Sequence, residues 1–461
     1  MGNCASTGKH RFSASPDDIA VEMSSTQAAK EPPLCMIHGL MGCTMRKTGA
    51  LAFIPVRAAL GLPTPSLALP TKWEADVQAS DGAVIGEPLT QIGCCGCVLH
   101  DQYGEFMEAF AKRRQDHFSY DWRRELGESA KRLEEHLEAM VKKYDAPVQC
   151  VAHSMGCMLL LAVMHRRPEL IHSAIFAGGT FAGGIGYHHL LARGERIGLN
   201  GTLVAPEAVA TWPCAYATAS PVGDPLLIGD DGTPHWQILD KAKLKKGEAA
   251  PVEIDWYDIE TWERLGLGVF RHGAKPSDEM RAHVATALRL GKQFQGEMRA
   301  VRNDPRDYPP CATLIGHGYQ GEDFFLWDAE ACTMKEVWRG DGLYVHKSSG
   351  PPPLEGAPPP CETDGLLPYF CSTLPPGVPH SKHRARHNGP AQKCGHMDLI
   401  DEVEQIDEIL QELTAEASQR NKGMAKLPST LKRHHTALAS MVSLTRRGGR
   451  QRASLLRNSI M

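Results

Sequence analysis

Residues 147–156 read PVQCVAHSMG, and a helical pattern, CMLLLAVMHRR, follows at once. The apolar run from Val148 to Ala152 stops abruptly at His153-Ser154-Met155-Gly156. This pattern predicts a buried strand, a sharp turn and a helix, with a serine at the turn. Small residues at Ala152 and Gly156 let strand and helix approach closely around a strained turn. Such a turn lifts the Ser154 hydroxyl into the open and sets the first amides of the helix beneath it. That is the geometry of a nucleophile elbow. The plain alternative is a serine that only caps a helix. The motif is A-x-S-x-G rather than the commoner G-x-S-x-G, so the rest of the chain has to decide between the two.

Working outward, order begins at Pro33–Ile37 (PLCMI), a short apolar strand that runs into His38-Gly39-Leu40-Met41-Gly42. Residues 105–115 (EFMEAFAKRRQ) have helical periodicity. HFSYDWRR at 117–124 reads as a short strand and turn. A second helix follows over 125–144, with Leu126, Leu133, Leu137 and Val141 on one face. IHSAIFAG at 171–178 and ATLIG at 312–316 read as further buried strands. Short strands alternating with helices predict an α/β protein with a mostly parallel, doubly wound sheet. From 181 to 303 that rhythm is lost, and the segment is expected to form a helical cap or lid over the sheet. The expected plan is a flexible arm at 1–31, core at 32–180, the insertion at 181–303, core again at 304–412, and a disordered basic tail at 413–461.

The composition is that of a globular protein, 42% hydrophobic and 23% charged, with a net charge of −4. The charge is unevenly spread. From Gln419 onward Lys or Arg occurs at 420, 422, 426, 432, 433, 446, 447, 450, 452 and 457, with no Asp or Glu. Met1-Gly2-Asn3-Cys4-Ala5-Ser6 fits the myristoylation pattern, with Gly2 as acceptor and Cys4 as a palmitoylation candidate beside it. One acyl chain holds a protein only marginally, so Cys4 and the basic tail would supply the second signal. These features predict attachment to the cytoplasmic face of a membrane and an anionic lipid surface as partner. No apolar stretch follows the N-terminus and none is long enough to span a bilayer, so the fourteen cysteines are expected to be free thiols.

A serine nucleophile needs a base, a carboxylate to orient that base, and donors for the oxyanion. His396 lies just before the last helical segment, in a position to reach the same sheet edge as Ser154. The competing histidines, His380, His383 and His387, sit in a basic stretch, and with Cys394 they lack a recognised zinc spacing. No metal, cofactor or nucleic-acid partner is expected. Two aspartates compete as the acid. Asp341 stands in Gly340-Asp341-Gly342, after the hairpin-like stretch FFLWDAEACTMKEVW, and is favoured; Asp364, in TDGLLP, is its rival. Oxyanion donors are expected from the amide of Met155 and from that of Met41, or alternatively Leu40, with Gly39 and Gly42 permitting unusual backbone angles.

Together HGLMG, SYDWRR at 119–124, AHSMG at 152–156, Trp212-Pro213-Cys214-Ala215-Tyr216, Gly340-Asp341-Gly342 and the His396 region resemble the lecithin:cholesterol acyltransferase (LCAT) family. The resemblance spans most of 33–410. It implies an α/β-hydrolase fold with a cap and lid, and a Ser154-Asp341-His396 triad that moves acyl groups out of glycerophospholipids through an acyl-serine. Met41 and Met155 would stabilise the oxyanion. One departure is His38, where the family usually has proline. Alternatives at this stage are a soluble carboxylesterase or thioesterase on small acyl substrates, and a non-catalytic membrane-attached lipid-binding protein.

Overall fold

Six short segments pair into one sheet in the computed structural model. They are Leu34–Ile37 (β1), Gln115–Phe118 (β2), Val148–His153 (β3), Ile171–Ala177 (β4), Cys311–Ile315 (β5) and Ser381–Arg384 (β6). Their spatial order is β6-β5-β4-β3-β1-β2, and every neighbouring pair is parallel. The structure describes residues 31–53, 60–94, 97–181, 190–192, 194–197, 199–218, 226–228, 234–236, 238–246, 252, 255–271, 274–321, 324–328, 333–337, 361–364, 369–386 and 394–425. Gly2, Cys4, Asp341, His387 and the basic tail beyond 425 lie outside them.

The central strands are apolar on both faces, as a sheet covered on both sides requires. Alternate residues go to two cores. Cys35, Ile37, Cys150, Ala152, Ala174 and Phe176 join one; Leu34, Met36, Val151, Ile175 and Ala177 join the other. Helices Leu126–Tyr144 (α2), Met155–Arg166 (α3) and Asp278–Arg299 (α5) cover the first face. Gly104–Ala109 (α1) and Val403–Ala425 (α6) cover the second. Helix α2 is framed by local chemistry. The Glu125 carboxylate accepts the amides of Gly127 and Glu128, each at 2.7 Å, and Asp145 ends the helix in a left-handed conformation.

Several expectations are corrected. The helix expected over 105–115 stops at Ala109, because Gln115–Phe118 is drawn into the sheet against β1. Within the segment expected to cap the sheet, α5 instead packs on α3, α2 and Pro213–Ala217 (α4), so it belongs to the helical layer beside the sheet. The tail expected from 413 is helical as far as Ala425. Leu413 and Ala417 continue the buried stripe of Ile406, Ile409 and Leu410, and packing overrides the basic composition.

The chain leaves β1 for β2 on one side, then crosses back to β3 on the other and proceeds outward through β4, β5 and β6. Loops after β1 and β3 therefore diverge, and a crevice opens at the carboxyl ends of these strands. HGLMG follows β1 and Ser154 follows β3. This is the α/β-hydrolase arrangement, with the elbow at the switch point.

Candidate active site

Ser154 has φ 53° and ψ −126°, a conformation that side-chain-bearing residues rarely adopt. Holding it there costs about 1–3 kcal/mol, which the surrounding contacts must offset. Its amide donates to Ala177 O (2.8 Å) and its carbonyl accepts from Cys157 N (3.0 Å). Gly156 is required by space: a Cβ there would fall 2.5 Å from His38 O and 2.7 Å from Ile37 O. The first turn of α3 thus lies against the backbone of β1, and Ser154 is left at the sheet edge.

The Ser154 hydroxyl donates to His396 Nε2 at 2.8 Å, and His396 Nδ1–H donates to Asp364 Oδ2 at 2.7 Å. All three side chains are buried, with Ser154 6% exposed. The backbone repeats the link, since His396 N–H donates to Asp364 O at 2.8 Å. The carboxylate on His396 is therefore that of Asp364, the rival acid; the favoured Asp341 lies outside the described residues. The reason lies in the register of a distant ribbon. Tyr319–Gly321, just beyond β5, pairs antiparallel with Cys361–Thr363, which delivers the next residue, Asp364, to the carboxyl edge.

Two glycines at strand ends make room for this pair. A Cβ at Gly178, after β4, would lie 3.0 Å from the His396 ring. One at Gly316, after β5, would lie 2.6 Å from Asp364 Cβ. The competing histidines serve elsewhere. His380 Nδ1 donates to Val378 O, and His383 lies on the edge strand β6 beside Ser381 Oγ. Among the described residues no three His, Cys, Asp or Glu side chains are grouped to hold a metal ion.

The loop after β1 reaches Ser154 through Gly39. A Cβ there would meet Ser154 Cβ at 2.7 Å and Ser154 Oγ at 3.3 Å. Gly42 N–H closes the turn onto Gly39 O (3.3 Å), and a Cβ at Gly42 would strike the His38 ring at 2.7 Å. The two glycines are thus there for space. The unusual backbone angle expected of them belongs instead to Met41, at φ 58°. Leu40 and Met41 are half-buried in this turn, and Met155 is buried as the first residue of α3.

SYDWRR supports the loop from below. Tyr120 stacks on His38 (ring centroids 4.5 Å apart, 7° between planes), donates its amide to His38 Nε2 and its hydroxyl to His38 O. His38 Nδ1–H then donates to Gly39 O at 2.8 Å. Full burial pushes the His38 pKa down to about 4, so the ring is neutral and keeps this one tautomer. Arg123, also fully buried, forks onto Asp121 and Asp81 and donates to Leu67 O. Burial alone would raise the Asp81 carboxyl, but Arg123 and Lys47 override it and hold it at about 2. Trp122 meets Trp212 edge to face at 5.1 Å, and Trp212 Nε1 donates to the same Leu67 carbonyl. The two aromatic segments singled out in the sequence therefore pack against each other, and SYDWRR also holds the loop after β1.

The sequence model of the lecithin:cholesterol acyltransferase family matches residues 104–221. Among curated proteins, the mouse (Mus musculus) "Lysosomal phospholipase A and acyltransferase" is 35% identical over 84 residues, covering 16% of this chain and 20% of the mouse protein. The match thus spans about a fifth of that relative's length. Among solved structures, a chain from "The crystal structure of Tle4-Tli4 complex" aligns with 13% identity and a TM-score of 0.48, covering 85% of this chain and 98% of that one. Over residues 104–221, which hold SYDWRR, the elbow and the Trp212–Tyr216 segment, the chain is LCAT-like.

Proposed function

We propose that this protein is a serine-dependent acyl hydrolase or O-acyltransferase that takes acyl groups from glycerophospholipids through an acyl-serine intermediate. The observation that carries the reading is the continuous Ser154–His396–Asp364 hydrogen-bonded line at a strained elbow. The LCAT-like segment supports a lipid ester as the substrate class.

In the first half-reaction Ser154 Oγ attacks the ester carbonyl carbon while its proton passes to His396 Nε2. Asp364 holds Nδ1–H and stabilises the imidazolium that forms. The negative charge on the carbonyl oxygen is met by the Met155 amide and by that of Met41, in the turn that Gly39 and Gly42 compress against Ser154. Leu40 is the alternative second donor. When the C–O bond breaks, the imidazolium returns its proton to the departing lysolipid alkoxide, leaving an acyl ester on Ser154. Water or a lipid alcohol then attacks that ester, giving its proton to His396, which passes it on to Ser154 as the serine leaves.

We further propose that Gly2 myristoylation, Cys4 palmitoylation and the basic C-terminal stretch hold this site against an anionic cytoplasmic leaflet. Each Lys or Arg near such a surface contributes about 1 kcal/mol. No helix among the described residues is long and apolar enough to cross a membrane. Gly2→Ala should shift the protein from the membrane to the soluble fraction, and Ser454→Asp should weaken binding to anionic liposomes. Wild-type partitioning by both variants would remove the attachment proposal.

The catalytic proposal is tested by incubating purified protein with acyl-labelled phospholipid in liposomes, with and without a sterol or diacylglycerol. Free fatty acid identifies a hydrolase and a neutral ester a transferase. Release of neither, with intact folded protein, would sink the reading.

A further inference from the structure

His153, directly before the nucleophile, is fully buried and takes no part in the steps above. Its Nε2 lies 2.9 Å from the carbonyl oxygen of His396, and its Nδ1 lies 3.0 Å from the Tyr103 hydroxyl. A carbonyl can only accept, so Nε2 carries the proton and Nδ1 is bare. Tyr103 must then donate to Nδ1. Its oxygen in turn accepts the amide proton of Gly39 at 3.1 Å and also meets the Gln102 side chain. The polarity of the whole line is fixed: Gly39 N–H to Tyr103 O–H to His153 Nδ1, and His153 Nε2–H to His396 O.

This line joins two parts of the site that the triad does not. Gly39 begins the loop after β1, and His396 lies on the loop after β6. These loops flank β3 from opposite sides, and β3 ends at His153. From this geometry we infer that His153 and Tyr103 are positioning residues, which lock the oxyanion turn and the base loop in one register about Ser154. The inference rests on the triad reading above. Neutrality of His153 is part of the arrangement, because its ring centroid is 5.1 Å from that of His396. A second positive charge there would oppose the imidazolium formed in each half-reaction. Burial pushes the His153 pKa down to about 3 and keeps the ring uncharged.

The molecule contains a matched control at the far end of α3, the helix that follows Ser154. In the last turn of α3, His165 Nε2 donates to Met298 O (2.8 Å) and His165 Nδ1 accepts from the Tyr308 hydroxyl (2.8 Å). Tyr308 accepts the amide proton of Arg302 (2.8 Å). Even the ring geometry repeats, with Tyr–His centroids 5.8 Å apart at 74° in the first relay and 5.6 Å apart at 73° in the second. The second relay lies about 17 Å from the first along the helix. It can stabilise the fold but cannot align the nucleophile.

The test compares Tyr103→Phe with Tyr308→Phe in the full chain, by the rate constant for fluorophosphonate labelling of Ser154, by kcat and KM on phospholipid liposomes, and by thermal melting. Tyr103→Phe should slow labelling about tenfold to a hundredfold, the scale of loss from a small misplacement of reacting groups. Its kcat should fall with KM little changed. Tyr308→Phe should lower the melting temperature comparably and label at the wild-type rate. His153→Gln, whose amide can donate to His396 O and accept from Tyr103, should retain more labelling than His153→Leu. Equal labelling by Tyr103→Phe and wild type, or equal losses in the two tyrosine variants, overturns the inference while the triad reading stands. Failure of wild-type Ser154 to label at all overturns both.

Discussion

Asp364 Oδ2 accepts the Nδ1 proton of His396 at 2.7 Å, and the same two residues are joined again through their backbones at 2.8 Å. The carboxylate therefore fixes the tautomer of the His396 ring, and the main-chain bond fixes the path of the segment that carries it. Asp364→Asn keeps the volume but offers an amide that can favour the wrong tautomer. It should lower kcat about ten-thousand-fold with the fold retained. Asp341→Asn should turn over near the wild-type rate. Turnover lost in the Asp341 variant and kept in the Asp364 variant would reverse the assignment.

Gly39 supplies a second prediction. Its missing side chain is the space in which Ser154 and the turn proposed to bind the oxyanion meet, since a Cβ would approach Ser154 Cβ to 2.7 Å. Gly39→Ala should push the turn away from the nucleophile. A displacement of this kind costs about a hundredfold in turnover. The melting temperature should change much less than for Gly156→Ala, whose Cβ would strike the backbone carbonyls of Ile37 and His38. Overpacking against backbone costs about 1–3 kcal/mol or more. A fully active Gly39→Ala would show that the turn is free to yield and that its amides are not held for the oxyanion.

What the sequence disclosed and what it hid follow from how local each signal is. The elbow was legible because strand, turn, serine and helix are contiguous, and His396 because it precedes the final helix. The acid was not, because Asp341 and Asp364 are each followed by glycine and look alike in sequence. Only the pairing of 361–363 with 319–321 singles out Asp364. Tyr103 carries no local mark either; its role exists only where the start of α1 meets the ends of β1 and β3. The shortened α1 shows tertiary pairing overriding helical periodicity at Gln115. Gly178 and Gly316 looked like ordinary strand ends, and their neighbours across the sheet edge give them meaning.

Arg123 sits with no exposed side-chain surface between two carboxylates, and its guanidinium also holds the Leu67 carbonyl that Trp212 shares. Removing it leaves Asp121 buried without a cation, and Asp81 with Lys47 alone. Arg123→Ala should therefore cost about 3–5 kcal/mol of stability, read as a shift in the urea midpoint. Arg123→Lys should recover little, because an ammonium cannot fork onto both carboxylates at once. The fraction that remains folded should still label at Ser154, since the Arg123 network touches the loop only through its neighbours. Unchanged urea midpoints in both variants would remove this account of SYDWRR as a buttress.

Stability should also depend on acid through His38 and His153, whose folded pKa values lie near 4 and 3 against an ordinary value of 6.5. Both are depressed by burial, so above 6.5 neither state binds the proton and stability is fully present. As the pH falls below 6.5 the unfolded chain takes up protons that the folded chain refuses. Stability is then lost progressively down to the folded values. At pH 4.5 each histidine should cost on the order of 2–3 kcal/mol relative to pH 7. Urea unfolding of wild type and of His38→Gln and His153→Gln at the two pH values isolates these contributions, since the other buried histidines are common to all three proteins. Each variant should lose less stability than wild type between pH 7 and 4.5, even where it starts lower at pH 7. Parallel losses in all three would mean that neither ring is held neutral, and the fixed tautomers on which the Gly39 and His396 contacts depend would go with them.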